Sequence, residues 1–467
     1  MRGSRWQRLV DRQPRTTATT DGGWRKRLRT PTGVIGIVSA ALVTLFTGWY
    51  TGFFGFILGD LVPSGPDAAC AVRETIKYHW PFGTQQTPSE RFTILIARID
   101  HDDPDGTYTR AVARAFLKRQ DIDRLETCRT LRLSDVGREA EGSAVATARI
   151  WLNQRHADLL IAGEMLKKEE AVSLWFIDKD PTHDWRASTF HLDANLLKDD
   201  FSEAASTQLL AVALSAFRPA TQEDGKYLVE TLKPVAIRLR HLLDGTTAFT
   251  QTQRGTLDEA MGIVLRTIGE QTGDYHTLVQ AVDADRAALT ELPHDQAWAT
   301  TQNNLGNALA RLGEREHGTA ATAHWTEAVA AYRAALEEQT PDREPLVWAM
   351  TQTNLGGVLS WLADSESGTA ATAHLTEALA ILDAALKELP RDRVPFLWAK
   401  TTLNRGATLG MLGERESGPT ATAHLREALT AVDAARAVFV QFGATLFVQR
   451  AQTNRDHVIA LLNKEQK

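Results

Sequence analysis

The sequence predicts an α-helical solenoid of stacked helix pairs, preceded by a small α/β domain and a single transmembrane helix. Three observations predict it: residues recurring at an interval of 50 in the C-terminal part, alternating apolar runs between 91 and 193, and a charge-free run from Gly33 to Gly59. At 467 residues the chain exceeds one ordinary core, so several domains are expected. Hydrophobic content of 43% and charged content of 24% are globular values. A net charge of −6 gives no overall pull toward nucleic acid, and no nucleic-acid partner is expected.

Residues 1–32 hold Arg2, Arg5, Arg8, Arg12, Arg15, Arg25, Lys26, Arg27 and Arg29 against only Asp11 and Asp21. So polar and short an arm buries no core and reads as disordered. The run 33–59 follows at once. A helix of that length extends about 40 Å, enough to cross a hydrocarbon core of roughly 30 Å with some tilt. A secretory signal would have a shorter apolar region and a small-residue cleavage site, so an uncleaved signal anchor is expected. Only Arg73 and Lys77 follow shortly after the span. The positive-inside rule therefore keeps the N-terminus in the cytoplasm and sends 60–467 across, which in a bacterial inner membrane means the periplasm.

Within the span, Gly48 and Gly52, and Gly55 and Gly59, have the spacing of close helix contact. Weak self-association is one reading; the other is that glycine is common in membrane helices anyway. Residues 60–90 read as a linker. Cys70 and Cys128 are the two cysteines; in an oxidising compartment they form one disulfide, or else they are two buried thiols.

Residues 91–193 alternate strand and helix. Phe92 to Ile99 is an apolar run followed by a loop from Asp100 to Gly106, then a helix over 107–119 and a strand from Thr127 to Leu133. A helix near 143–155 and strands at 157–164 and 171–177 complete a small α/β sheet. The first strand, the helix ending Ala-Phe-Leu and the run Ala157-Asp158-Leu159-Leu160-Ile161-Ala162-Gly163-Glu164 resemble the TolB amino-terminal-type domain of bacterial signalling proteins. In that group the domain often lies beyond a membrane span and before helical repeats, behind a cytoplasmic regulator. Here only the basic arm precedes the span. Residues 194–249 read as a helical connector.

The repeats occupy 250–467. Trp298, Trp348 and Trp398 are equally spaced, as are Gly306, Gly356 and Gly406, and His324, His374 and His424. Each unit reads as two helices. Trp298, Leu305, Leu309 and Leu312 give the first its apolar face; Ala328, Val329, Tyr332, Ala335 and Leu336 give the second its own. Small residues at Ala328 and Ala335 admit a neighbouring helix, and Tyr332 or Leu382 fills the space between. An earlier, degenerate unit shows as Ile268-Gly269-Glu270 followed by Ala281, Ala288 and Pro293, and a final partial helix includes Asn454 and Ile459. Leu305-Gly306-x-x-Leu309, the Ala328, Tyr332, Ala335 spacing and Pro390 resemble the tetratricopeptide repeat family. The unit is longer than that family's usual 34 residues, with the excess between the two helices. The resemblance implies a curved solenoid whose concave face binds proteins or peptides.

The cluster Asp100, His101, Asp102, Asp103 and Asp105 lacks the alternating ligands and final glutamate of an EF-hand, so it reads as a loop capping the next helix. One histidine per unit places His324, His374 and His424 about 10 Å apart, too far to share an ion; a structural or surface role near the start of each second helix is expected. With no phosphate loop, paired zinc motif or nucleophile elbow, no enzyme, metal or cofactor is expected.

Asn304, Asn354, Asn404 and Asn454 recur on the first helices. A carboxamide carries two donors and an acceptor, so such a ladder can bond the backbone of any bound peptide, as the equivalent asparagines do in peptide-binding members of the family. Alternatively the four bond neighbouring helices within the scaffold. Three functions follow in order: a membrane-anchored interaction scaffold, a periplasmic ligand sensor acting through the α/β domain, and an unrecognised hydrolase.

Overall fold

The computed structural model describes residues 91–103, 105–116, 122–132, 137–166, 171–179, 190–193, 203–216, 228–245 and 249–465. The basic arm, the span at 33–59, the linker and Cys70 lie outside the described residues. Among the described residues no helix is long and apolar enough to cross a membrane.

The α/β part begins with β1 (Phe92–Arg98), α1 (Thr107–Arg114), β2 (Ile122–Thr130), α2 (Gly137–Arg155), β3 (Leu159–Leu166), β4 (Ala171–Asp178) and β5 (Phe190–Asp193). The sheet order is β2-β1-β3-β4-β5. β1 runs parallel to β2 and β3, whereas β3 to β4 and β4 to β5 are antiparallel. Alternation along β1 decides which side chain meets which layer. Ile94 and Ile96 join the core that includes Val112 and Phe116 of the α1 region. Leu95 and Ala97 point the other way, onto Val145, Ala148 and Leu152 of α2. A strand buried on both faces is therefore apolar throughout, which is why 92–99 reads as an unbroken run.

Two helices follow, α3 (Glu203–Ala216) and α4 (Val229–Asp244). Leu209, Leu210 and Leu214 of α3 and Leu232, Val235 and Leu239 of α4 share one continuous core with Ile94, with Leu257 and with Leu309. Gln208 donates to the Thr256 hydroxyl at 2.7 Å, a polar tie along the same junction. The connector thus joins sheet and repeats through packing.

The repeats comprise α5 (Gln251–Thr272) with α6 (Tyr275–Glu291), α7 (Gln296–Gly313) with α8 (Thr319–Glu338), α9 (Pro345–Asp364) with α10 (Gly368–Lys387), α11 (Pro395–Arg415) with α12 (Gly418–Gln441), and α13 (Thr445–Glu465). Each helix packs on the next, and each first helix also touches the first helix of the following unit. The stop and start signals have physical causes. Thr250 makes a capping box with Gln253, and Asp274 and Asp295 accept from backbone amides of the helices they open. Pro345 and Pro395 occupy first-turn positions, where a missing N–H costs nothing.

Glycine sets the closeness of each pair. A Cβ on Gly306 would lie 2.7 Å from the Tyr332 ring, and one on Gly356 would lie 2.7 Å from Leu382. On Gly406 the neighbour is Val432 at 2.8 Å. The expected filling of the gap by Tyr332 and Leu382 is thus a knob seated on a bare backbone.

The degenerate first unit keeps this register. Gly269, Gly313 and Gly413 meet Leu278, Trp325 and Leu425 in turn, and Gly262 takes the place of Gly306. The final helix is complete rather than partial. At α13, Arg455, Asp456 and Asn463 stand where α7 has Leu305, Gly306 and Gly313, a polar surface of the kind that caps a solenoid.

The first-helix face as candidate functional site

Exposure along the first helices falls on one open stripe. Thr300, Met350, Lys400 and Arg450 form one column along it, and Asn307, Gly357, Ala407 and His457 a second; Arg311, Trp361, Met411 and Leu461 form a third, and all of these are accessible to solvent in part or in full. The asparagine column runs beside them: Asn304 is buried, whereas Asn354, Asn404 and Asn454 are half-exposed.

The carboxamides bridge adjacent first helices. Asn354 Nδ2 lies 3.5 Å from Asn303 Oδ1 and 3.3 Å from Asn307 Oδ1, while Lys400 Nζ donates to Asn354 Oδ1 at 3.2 Å. Asn404 Nδ2 reaches the Thr353 carbonyl at 3.5 Å. These distances sit at the long end of hydrogen bonding, so the groups are held in place without strong internal commitment. Beneath them runs a tighter buried ladder. Thr353 and Thr401 share a hydroxyl bond at 2.8 Å, as do Ser360 and Thr408, and Thr351 donates to Gln339 at 2.7 Å. Sequence reasoning missed Asn303, Asn307, Lys400 and these hydroxyls. Recurrence at 50 marks equivalent positions, but bonded partners are offset by 47, 48 or 51.

Charge gathers at one end of the stripe. Arg311 contacts Glu270 at 3.5 Å and Glu314 at 2.7 Å, and Arg266 contacts Glu270 at 3.3 Å. Burial opposes the Arg311 charge, but Glu270 and Glu314 outweigh it and hold its pKa above the ordinary value. Burial likewise keeps the Tyr332 phenol protonated well past its usual range, and its hydroxyl donates to Asn307 at 2.9 Å. Surrounding protein lowers the pKa of Arg450, with Glu314 opposing and Arg311 adding to that effect.

The other candidate residues have definite places. His324, His374 and His424 pair with Glu316, Glu366 and Glu416 at 3.2, 2.8 and 2.6 Å, each pair closing the loop between the helices of its unit. Of the structural and surface roles expected, these pairs are of the structural kind, on half-exposed side chains. In the α/β part, Asp102 accepts from the amides of Tyr108 and Thr109, and Asp103 from that of Thr107. Those carboxylates cap α1, as the sequence suggested. Cys128, on β2, is disulfide-bonded; Cys70, with which the sequence pairs it, is outside the described residues.

No family model, curated protein or solved structure matches the chain.

Proposed function

We propose that the chain is a membrane-anchored, tetratricopeptide-type scaffold that binds an extended segment of another protein along the inner, first-helix face, without catalysing a reaction. One observation carries the reading. Asparagine recurs at Asn304, Asn354, Asn404 and Asn454 along the first-helix face, beside an open column that changes from Arg311 through Trp361 and Met411 to Leu461. A constant carboxamide column beside a varied one fits a partner that is bonded through its backbone and selected through its side chains.

In this reading Asn304, Asn354, Asn404 and Asn454 bond the partner's backbone, and the neighbouring columns select its side chains. Residues 33–59 anchor the chain in the inner membrane, with the N-terminus in the cytoplasm and 60–467 in the periplasm. The α/β part, read as a TolB amino-terminal-type domain, spaces the repeats from the bilayer. Replacing Met350 and Trp361 by Ala should abolish capture of the partner by the full chain while the circular-dichroism melt stays cooperative. Undiminished capture would count against this face.

A second reading has one observation behind it. The Asp100 carboxylate, 5% exposed, lies two residues past the end of β1 in an isolated parallel bridge with Glu164 of β3, with Arg132 3.3 Å away. The C-terminal edge of parallel strands is where open α/β sheets bind ligands. A small-molecule screen that raises the melting temperature of wild-type protein but not of Asp100→Ala would support a sensor instead.

A further inference from the structure

Between the alanines Ala281 and Ala288 of α6 stands Asp285, at the position that Tyr332, Leu382 and Val432 occupy in the later units. It is 0% exposed, and neither carboxyl oxygen has a hydrogen-bond partner among the described residues. Its Oδ1 lies so close to the backbone of Gly262 that a Cβ there would sit 2.0 Å away. Three sister units fill this site with apolar knobs, so packing does not demand a carboxyl. An isolated charge there would lack both water and a bonded partner.

Charged groups face this carboxyl from both helices and from the next unit. From α5, Arg266 favours the charged form of Asp285 and Glu259 opposes it, and Arg266 directs its Nη1 to Glu270 at 3.3 Å. Glu259 lies beside Thr301 and faces Asp295, both at the α7 end of the seam. Asp258 faces Glu291 of α6 and Arg254 of its own helix, which pair with each other at 3.2 Å. On the outer side, Arg286 pairs with Glu327 of α8. The first helix of this pair, α5, is the one on which α3 and α4 dock.

We propose that α5 and α6 form a proton-locked joint between the α/β part and the repeats: Asp285 must release its proton when this seam opens, so acid holds the joint shut and rising pH loosens it. The sign follows from linkage. A carboxyl that binds its proton more tightly in the closed state than in the open one contributes closure at low pH, and that closure is lost as pH climbs from the open-state value toward the closed-state value. Burial raises Asp285 well above its ordinary value. Glu259, pushed up to about 7, and Asp258, pushed up to about 6, act in the same direction. Acidification would therefore stiffen the link between the two parts, and alkalinisation would let the repeats swing.

Hydrogen exchange on the full chain at pH 5 and pH 8, corrected for the intrinsic rate, tests this. Protection of α5 and α6 should fall by at least about tenfold relative to α10 to α12, since one pKa unit is a factor of ten. In Asp285→Leu, which copies the knob at Leu382, and in Asp285→Asn, a neutral near-isostere, the fall should shrink to less than half its logarithm. A wild-type joint that loses no more protection than α10 to α12 would overturn the proposal. So would either folded variant that retains more than half of the fall.

Discussion

Asn354 donates toward Asn303 and Asn307 on one side and accepts from Lys400 on the other, so its carboxamide touches two neighbouring first helices. Bonds of 3.3–3.5 Å can be exchanged for a partner's backbone at little loss. Truncating Asn354 and Asn404 together to Ala is expected to cost no more than about 2 kcal/mol of stability, yet to weaken partner binding at least tenfold. Calorimetry and a binding isotherm on the same protein separate the two quantities. A large stability loss with unchanged affinity would make the column purely structural. A second residue is testable through pH. Glu259 has a folded pKa of about 7 against an ordinary 4.5, so the folded state holds its proton more tightly. The stability it contributes is present below about 4.5 and is lost as pH rises through about 7. Glu259→Gln should match wild type in melting temperature at pH 4 and exceed it at pH 8; equal melting at both would refute the assignment.

The helix pair is the next scale, and its recurring contact is a bare glycine under a knob. Gly356→Ala should destabilise by about 1–3 kcal/mol through overpacking against Leu382. Leu382→Ala should destabilise through the cavity it leaves. Combined, they should cost less than their sum by more than about 0.5 kcal/mol, because the new methyl enters the space the leucine vacates; strict additivity in denaturant melts would mean that the two do not meet. This element was legible in the sequence because glycine, alanine and the knob recur in fixed phase. Others were not. β2 starts at Ile122, earlier than the expected Thr127, and α1 stops at Arg114 rather than 119. β2 is an edge strand whose burial does not alternate cleanly, so no period marks its start. β5, with four residues, is too short to show a period at all. Asp285 escaped notice because Ala281 and Ala288 kept the phase, and a polar residue between them read as mere degeneracy.

At the scale of the whole molecule, the continuous core from Ile94 to Leu309 couples the α/β part to the repeats, and the chain's placement decides what it can meet. Export of 60–467 predicts an oxidised Cys128 linked to Cys70, which a non-reducing peptide digest reports as one cross-linked pair. Two alkylatable thiols would place these residues in a reducing compartment. The central claim is that the varied first-helix face is where the partner lies. A photo-crosslinking residue at Gly357, where an added Cβ meets only Asn404 within 4 Å, probes that face in intact cells, and one at exposed Ala373 probes the second-helix start. The account predicts a discrete protein adduct from position 357, lost when Asn354 and Asn404 are replaced by Ala, with none from 373. Equal adducts from both positions, or an adduct from 373 alone, would contradict it.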